Sequence, residues 1–209
     1  MYMFFWKDPT KSTPEIAQEL LGCLLVKETP EGTVSGFIVE TEAYLGEIDA
    51  AAHSYQMKKT PRLASMYKEA GTIYVYQMHT QHLLNLVVQE PEIPQAILIR
   101  AVEPYEGIDL MEKRRIRTGI ELTNGPGKMT IAMGIDQQDD GHIINLPPLY
   151  LSNHMKRLPK EIHVSERIGI PNKGEWTTAP LRYSVKGNPF VSRMRKRDMK
   201  EDGGWMEEK

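Results

Sequence analysis

The sequence predicts a single α+β domain built on antiparallel hairpins. Three observations carry that prediction: two strand–turn–strand signatures, helical periodicity confined to short runs, and turn residues spread along the whole chain. With 209 residues, 40% hydrophobic and 26% charged, the chain has material for one generous core. Its 14 prolines and 16 glycines are scattered, without repeat, low-complexity tract or linker, so one domain over 1–209 is expected.

The elements follow in order. The opening MYMFFWKDP is apolar for six residues and lacks a basic leader, so no secretory leader is expected. Ser12-Thr13-Pro14-Glu15 is a helix start: a hydroxyl cap, an early proline and an acid three residues on from Ser12. Ile16, Ala17, Leu20 and Leu21 continue it at helical spacing as far as Gly22. CLLVKETPEGTVSGFIVETEAY reads as strand, turn, strand, with Pro30 and Gly32 in the turn. DAAAHS reads as a short helix capped by Asp49. GTIYVYQM and HLLNLVV form a second hairpin with its tip at Met78 to Gln81. QAILIRAV is an apolar strand interrupted by Arg100, and EGIDLMEKRRI and GPGKMTIAMG are helices. Beyond about residue 142, prolines alternate with short β-rich runs such as LRYSV. The acidic tail 198–209 is expected to be flexible.

Composition narrows the function. A net charge of −2 argues against a protein that merely coats nucleic acid. The charge is unevenly spread: residues 1–50 carry a net of −6 and residues 153–197 a net of +8. Such a stretch either meets a polyanion or is a solvated surface. With Cys23 as the single cysteine, no internal disulfide or cysteine-based zinc site can form, which fits a cytoplasmic setting. No window approaches the length of a membrane span.

The most informative stretch is IVETEAYLG. As a strand it puts Phe37, Val39, Thr41 and Ala43 on one face and Ile38, Glu40, Glu42 and Tyr44 on the other. Two carboxylates and a tyrosine then share one face, which is either solvated or the wall of a pocket that needs an acid. Tyr74 and Tyr76 share a face of another strand. Asn85 is a polar side chain amid leucines and needs partners if buried. Arg100, in ILIRAVEP, calls for an ion pair with Glu103 or Glu40. His79 and His82 lie three apart on a hairpin tip with no third ligand at a telling spacing, so no metal is expected. NGPGKMT lacks the first glycine of a phosphate loop, since Leu122 stands there. What remains is a helix start with Lys128, suited either to one backbone phosphate or to plain capping. An acid among aromatics, without a nucleophilic Ser or Cys pairing, points to general-base chemistry on a flat substrate such as a nucleobase.

The motifs IVETEAYLG…AAH, TPR, GTIYVY, LLN, LIRAVEP, NGPGKM, RIGI, GEW and PLRYSVKGNPFVS, in this order and spacing from about Leu21 to Ser192, resemble the alkyladenine (3-methyladenine) DNA glycosylases. The resemblance implies a curved antiparallel sheet with a hairpin protruding into the DNA minor groove. It implies a monofunctional enzyme, without cofactor, that flips a damaged purine from double-stranded DNA and hydrolyses its bond to the sugar. The lesion classes implied are 3-methyladenine, 7-methylguanine, hypoxanthine and ethenoadenine. Glu42 matches the catalytic glutamate, Tyr44 and Tyr76 the aromatics that sandwich the base, and His53 a histidine close to it. Asn85 matches the residue that rejects guanine, Arg100 an arginine at the pocket edge, and Glu40 a structural acid. Between Tyr76 and Asn85 the chain runs one residue shorter than the family hairpin and lacks its wedging tyrosine, leaving Met78 or His79 to fill the stack. A monomer free of membranes is expected. A non-catalytic nucleic-acid-binding module of similar fold, and a hydrolase of free nucleosides, are the alternatives. The former would not require Glu42, Tyr44, Tyr76 and Asn85 together, and the latter would not use the basic C-terminal third.

Overall fold

The local signals at the start of the chain are realised directly. In the computed structural model, which describes residues 4–207, the Ser12 hydroxyl accepts from the Glu15 amide, and the Glu15 carboxylate accepts from the Ser12 amide at 2.8 Å. This capping box opens α1, Thr13–Glu19, whose Ile16 and Ala17 are buried. The chain leaves the helix at Gly22 with φ +81, where a Cβ would fall 1.8 Å from the Arg157 carbonyl oxygen; only glycine fits.

The first predicted hairpin is β1, Cys23–Thr29, with β2, Gly32–Tyr44. The second is β3, Ile73–Met78, with β4, Gln81–Val87, in the register Met78↔Gln81. They are joined through β5, Ala96–Glu106, which pairs with both β4 and β2. Then come α2, Ile108–Arg115, and α3, Pro126–Met133, followed by β6, Asn145–Leu146, β7, Leu149–Lys156, and β8, Ile162–Ser165. A single helical turn, α4, Glu175–Thr178, precedes β9, Arg182–Val185. Every pairing is antiparallel, in the order β3-β4-β5-β2-β1-β7-β6, with β9 on the second half of β2 and β8 beyond it. The sheet curls into a half-barrel, so the domain is α+β.

Curling gives β2 two environments. Its whole second half is buried on both faces, Glu40, Thr41 and Glu42 included. A main core fills the curl, from Ile16 and Leu20 through Phe37, Ile97 and Ile99 to Val185. A smaller cluster of Leu63, Met66, Tyr67, Tyr74, Val87 and Ala96 lies beneath the second hairpin. Helix α3 braces that hairpin: Thr130 donates its hydroxyl to the His82 carbonyl at 2.7 Å, and Gly127 packs against Gln81.

Two expectations need correction. DAAAHS is not a helix but a run of turns between short 3₁₀ segments. Asp49 caps no helix; it accepts from the Leu45 and Ala51 amides, and its remaining capacity goes to Arg167. The acidic tail 198–209 is docked through its described part. Trp205 is buried, bridges to Pro159, and donates its indole N–H to Glu103 at 2.8 Å. Arg157 stacks over the Phe37 ring at 4.2 Å and reaches Glu103 at 2.6 Å, completing the clasp. The last two residues of the tail, and the first three of the apolar start, lie outside the described residues.

Trp205→Ala removes a buried ring and leaves a Glu103 oxygen short of a donor. The expected loss is about 3 kcal/mol of unfolding free energy, read as a lower denaturant midpoint at unchanged slope. A loosely attached tail would give no change.

Candidate active site

The site grows from the buried half of β2. A bulge around Glu40 shifts the pairing with β5, and Arg100 of β5 comes to lie against both glutamates of β2. Arg100 Nε donates to Glu40 Oε1 at 3.1 Å, and Arg100 Nη1 lies 3.1 Å from Glu42 Oε1. The expected Arg100–Glu40 pair is therefore present and shared with Glu42, whereas Glu103 pairs with Arg157. Burial works against the Arg100 charge, but the carboxylates of Glu42 and Glu40 outweigh it and hold the guanidinium above its ordinary range. Glu40 also accepts from Arg182 Nη1 at 3.0 Å and from the Ser192 amide at 2.8 Å.

Glu42 is fully buried and has three polar partners: two hydrogen-bond donors and, as an ion pair, Arg100. Oε1 accepts from the Ile168 amide at 2.8 Å and faces Arg100; Oε2 accepts the Tyr44 hydroxyl at 2.9 Å. Oε1 is thus held by the Ile168 amide and faced by the Arg100 charge, while Oε2, with room for two donors, holds the Tyr44 hydroxyl and keeps one acceptor direction open. Burial, then the Glu42 charge, holds the Tyr44 phenol well above its ordinary range, which keeps it a neutral donor to the carboxylate.

Beside this layer lies a cleft of about 930 Å³ whose lining includes Tyr44, Arg100 and Ile168, the three residues that contact Glu42. The spacing of Glu42 and Tyr44 on one strand face makes this possible: the tyrosine reaches the cleft while the acid stays buried beside it. Tyr76 and His53 form another part of the wall, with ring centroids 4.6 Å apart and edge-on. Tyr74 stacks against Tyr76 at 5.5 Å, and its hydroxyl lies 3.2 Å from His53 Nδ1. Burial, then the charges of Arg62 and Lys58, pull the His53 pKa down, so the ring is neutral at pH 7. The Tyr76 phenol is pushed up to about 12 by burial and then by the Glu42 charge.

Asn85 sits opposite Tyr74 in the hairpin register. Its amide nitrogen donates to the Tyr74 carbonyl at 3.1 Å and the Leu83 carbonyl at 3.4 Å. Its oxygen has no protein partner among the described residues and belongs to the cleft wall, an orientation assigned from this network. Met78, half exposed, lines the same cleft. His79 occupies the turn with φ 55 and borders a different recess, shared with Arg62, Gln77 and Asp140. The structure thus separates two residues that the sequence offered as equivalents. Lys128 at the start of α3 is held by Glu121 at 2.6 Å and Asn124 at 2.8 Å.

Other residues of the site went unassigned in the sequence. Arg167 is fully buried, paired with Asp49 at 2.5 Å, and its guanidinium lies 4.6 Å from the Tyr44 ring centroid. It also donates to the Ala43 and Trp176 carbonyls, which ties together the walls on either side of Tyr44. Its signal was an arginine next to two isoleucines in RIGI, with no local hint of its partner. Arg62, in TPR, donates to the Gln77 carbonyl at 2.7 Å and lies 5.4 Å from the Tyr76 ring centroid.

The basic stretch 153–197 is neutralised in part. Arg157 pairs with Glu103, Lys160 with Asp202, Lys186 with Glu161, Arg182 with Glu40 and Arg167 with Asp49. At the cleft, Lys58, and Lys173 from within that stretch, have no carboxylate partner among the described residues.

An acid beside an aromatic cleft, flanked by guanidinium groups, can activate water beside a flat ring. Comparison with known proteins agrees in kind. The model of the methylpurine-DNA glycosylase family matches residues 7–189. A protein of Enterococcus faecalis, provisionally named 3-methyladenine DNA glycosylase, is 52% identical over 201 residues, covering 95% of this chain and 88% of its own. Relatives of the same provisional name from Staphylococcus saprophyticus and Staphylococcus carnosus are 51% and 53% identical, covering 91% and 90% of this chain and 94% and 92% of theirs. The chain belongs to the methylpurine-DNA glycosylase family, and with it to the enzymes that hydrolyse N-glycosidic bonds.

Proposed function

We propose that the chain is a monofunctional, monomeric glycosylase of the bacterial cytosol that removes alkylated or deaminated purines from double-stranded DNA. Its lesions would be of the 3-methyladenine, 7-methylguanine, hypoxanthine and ethenoadenine kinds. The observation that carries the reading is Glu42, buried and held by two hydrogen bonds and an ion pair from residues that line an aromatic cleft. A purine flipped out of the stack lies between Tyr44 on one side and Tyr76 with His53 on the other. Water on the open direction of Glu42 Oε2 then faces the sugar carbon. Glu42 takes its proton as the base departs through an oxocarbenium-like transition state, which the carboxylate charge stabilises. The unpartnered Asn85 oxygen accepts from ring donors of the permitted purine and selects on its edge. No amine is placed as a nucleophile in this scheme, so the product is an abasic site in an uncut strand. Release of hypoxanthine or ethenoadenine from a duplex oligonucleotide, with chelator present and without strand scission, tests the reading. No release of any of these purines would overturn it, in favour of a binding module.

Glu42→Gln fits the same space, since its oxygen can face Ile168 and its nitrogen can donate to Tyr44. It cannot take a proton from water. Single-turnover excision falls by about two or more orders of magnitude while lesion-DNA binding survives. A near-native rate would remove Glu42 from the mechanism.

Phosphate binding falls to the unpaired cations at the cleft, Lys58 and Lys173, rather than to the ion-paired lysines of the stretch 153–197. Lys58→Ala with Lys173→Ala lowers affinity equally for damaged and undamaged duplex. The slope of log affinity against log salt should drop by about 0.9 for each phosphate that is no longer neutralised. Lys160→Ala with Lys186→Ala, which frees carboxylates already paired, leaves the slope unchanged. The reverse pattern would return phosphate binding to those ion-paired lysines, and Lys128 would join the interface only by giving up Glu121.

Met78, on the cleft side of the tip, is the group that fills the stack after flipping. Met78→Ala lowers excision from duplex about tenfold and changes excision from single strands little, because a single strand has no stack to fill. His79→Gly, which suits the left-handed turn, has little effect on either. Equal loss on duplex and single strand would show that the tip is no wedge.

A further inference from the structure

Oε1 of Glu42 has two partners, one hydrogen bond and one ion pair, and both trace back to one buried anchor. Arg100 Nη1 reaches Oε1 at 3.1 Å, and Arg100 Nε is fixed on Glu40 at 3.1 Å. The Ile168 amide reaches Oε1 at 2.8 Å from a segment that leaves β8 without regular pairing. That segment is gripped two residues earlier: Arg182 Nε donates to the Glu166 carbonyl at 2.9 Å, while its Nη1 donates to Glu40 at 3.0 Å. Arg182 is also the register partner of Glu42 across β2 and β9, so its backbone lies beside the acid while its side chain reaches past it. Glu40 thus sends out two arms, Arg100 and Arg182, that converge on one oxygen of Glu42.

We infer that Arg182 is a positioning residue for the hydrolysis: by spanning Glu40 and the Glu166 carbonyl it sets the Ile168 amide that aims Glu42. The inference rests on the reading of Glu42 as the general base. Filling Oε1 from two fixed directions orients the carboxylate and leaves Oε2 as the oxygen with an open direction for water. Displacement of a catalytic group by about 1 Å is enough to cost roughly a hundredfold in rate. A guanidinium suits the task because its donors form a rigid fork that satisfies two acceptors at a set angle. Lysine can reach Glu40 or the Glu166 carbonyl, but as a point donor it cannot hold the two in register. Arg182 touches neither the cleft nor a substrate position, which separates it from Arg100.

The test uses the full-length protein and two readouts. In Arg182→Lys, single-turnover excision of hypoxanthine from duplex should fall about ten- to a hundredfold, with lesion-DNA affinity within about twofold of the parent. In Arg182→Ala the loss should be at least as large, and ethylguanidinium at sub-denaturing concentration should restore part of the rate, since this side chain lies 16% exposed. A role confined to stability would lower the melting temperature without a rate that a soluble guanidinium rescues. Independently of activity, hydrogen exchange of the Ile168 amide should accelerate at least about tenfold in Arg182→Lys, while the core amide of Leu25 stays as slow as in the parent. Native excision in Arg182→Lys, or unchanged Ile168 exchange, overturns the inference. If the parent protein releases no base at all, the glycosylase reading falls, and the exchange comparison still decides whether Arg182 holds the Ile168 amide in place.

Discussion

Two carboxylates two residues apart, both without solvent, are the condition around which this molecule is arranged. Each buried ion carries a desolvation penalty of several kcal/mol that only close, well-directed partners offset. Glu40 and Glu42 meet it with Arg100 between them, Arg182 on Glu40, and amides from Ile168 and Ser192. Those partners come from β5, from β9, from the segment after β8, and from the turn after β9. The C-terminal third must therefore pack against the second half of β2 for the acids to be charged and fixed. The geometry of this buried layer and the closure of the fold are in this sense the same requirement.

A second buried pair performs the corresponding service for the aromatic wall. Arg167 and Asp49, both without exposure, join the loop that carries His53 to the segment that carries Ile168, and the Arg167 guanidinium covers Tyr44. The Arg167 Nε remains unpaired, the one unmet donor in an otherwise satisfied guanidinium. Tyr76 is supported differently, by Tyr74 stacked on it and by the small apolar cluster beneath the hairpin. Each wall of the cleft thus has its own support, one polar and one apolar.

Charge on the surface follows a similar division. The basic stretch that stands out in the linear sequence is consumed in part by acids of the sheet and of the tail. Lys58, and Lys173 from within that stretch, line the cleft without carboxylate partners among the described residues. A count of charges along a chain says little about a potential in space, because an ion pair removes both members from it.

Much of this was legible in the sequence where the determinant is local. The capping box at Ser12, both hairpins and the α-helices over 108–115 and 126–133 depend on residues a few positions apart, and local periodicity announces them. The polar face of IVETEAYLG set Glu40, Glu42 and Tyr44 side by side, because alternation along a strand is fixed by the backbone itself. DAAAHS misled because capping by Asp49 was judged locally, whereas its carboxylate is claimed by Arg167, 118 residues away. The same limit hid the division of Arg100 between two glutamates, the reach of Arg182 to Glu40 across 142 residues, and the docking of Trp205 on Glu103. It also hid which of Met78 and His79 faces the cleft, since the twist of the tip turns neighbouring side chains apart. The sequence by itself determined which groups exist and which way each strand presents them. Only the tertiary structure decided which charges meet, because pairing depends on distance in space between segments that no local pattern relates.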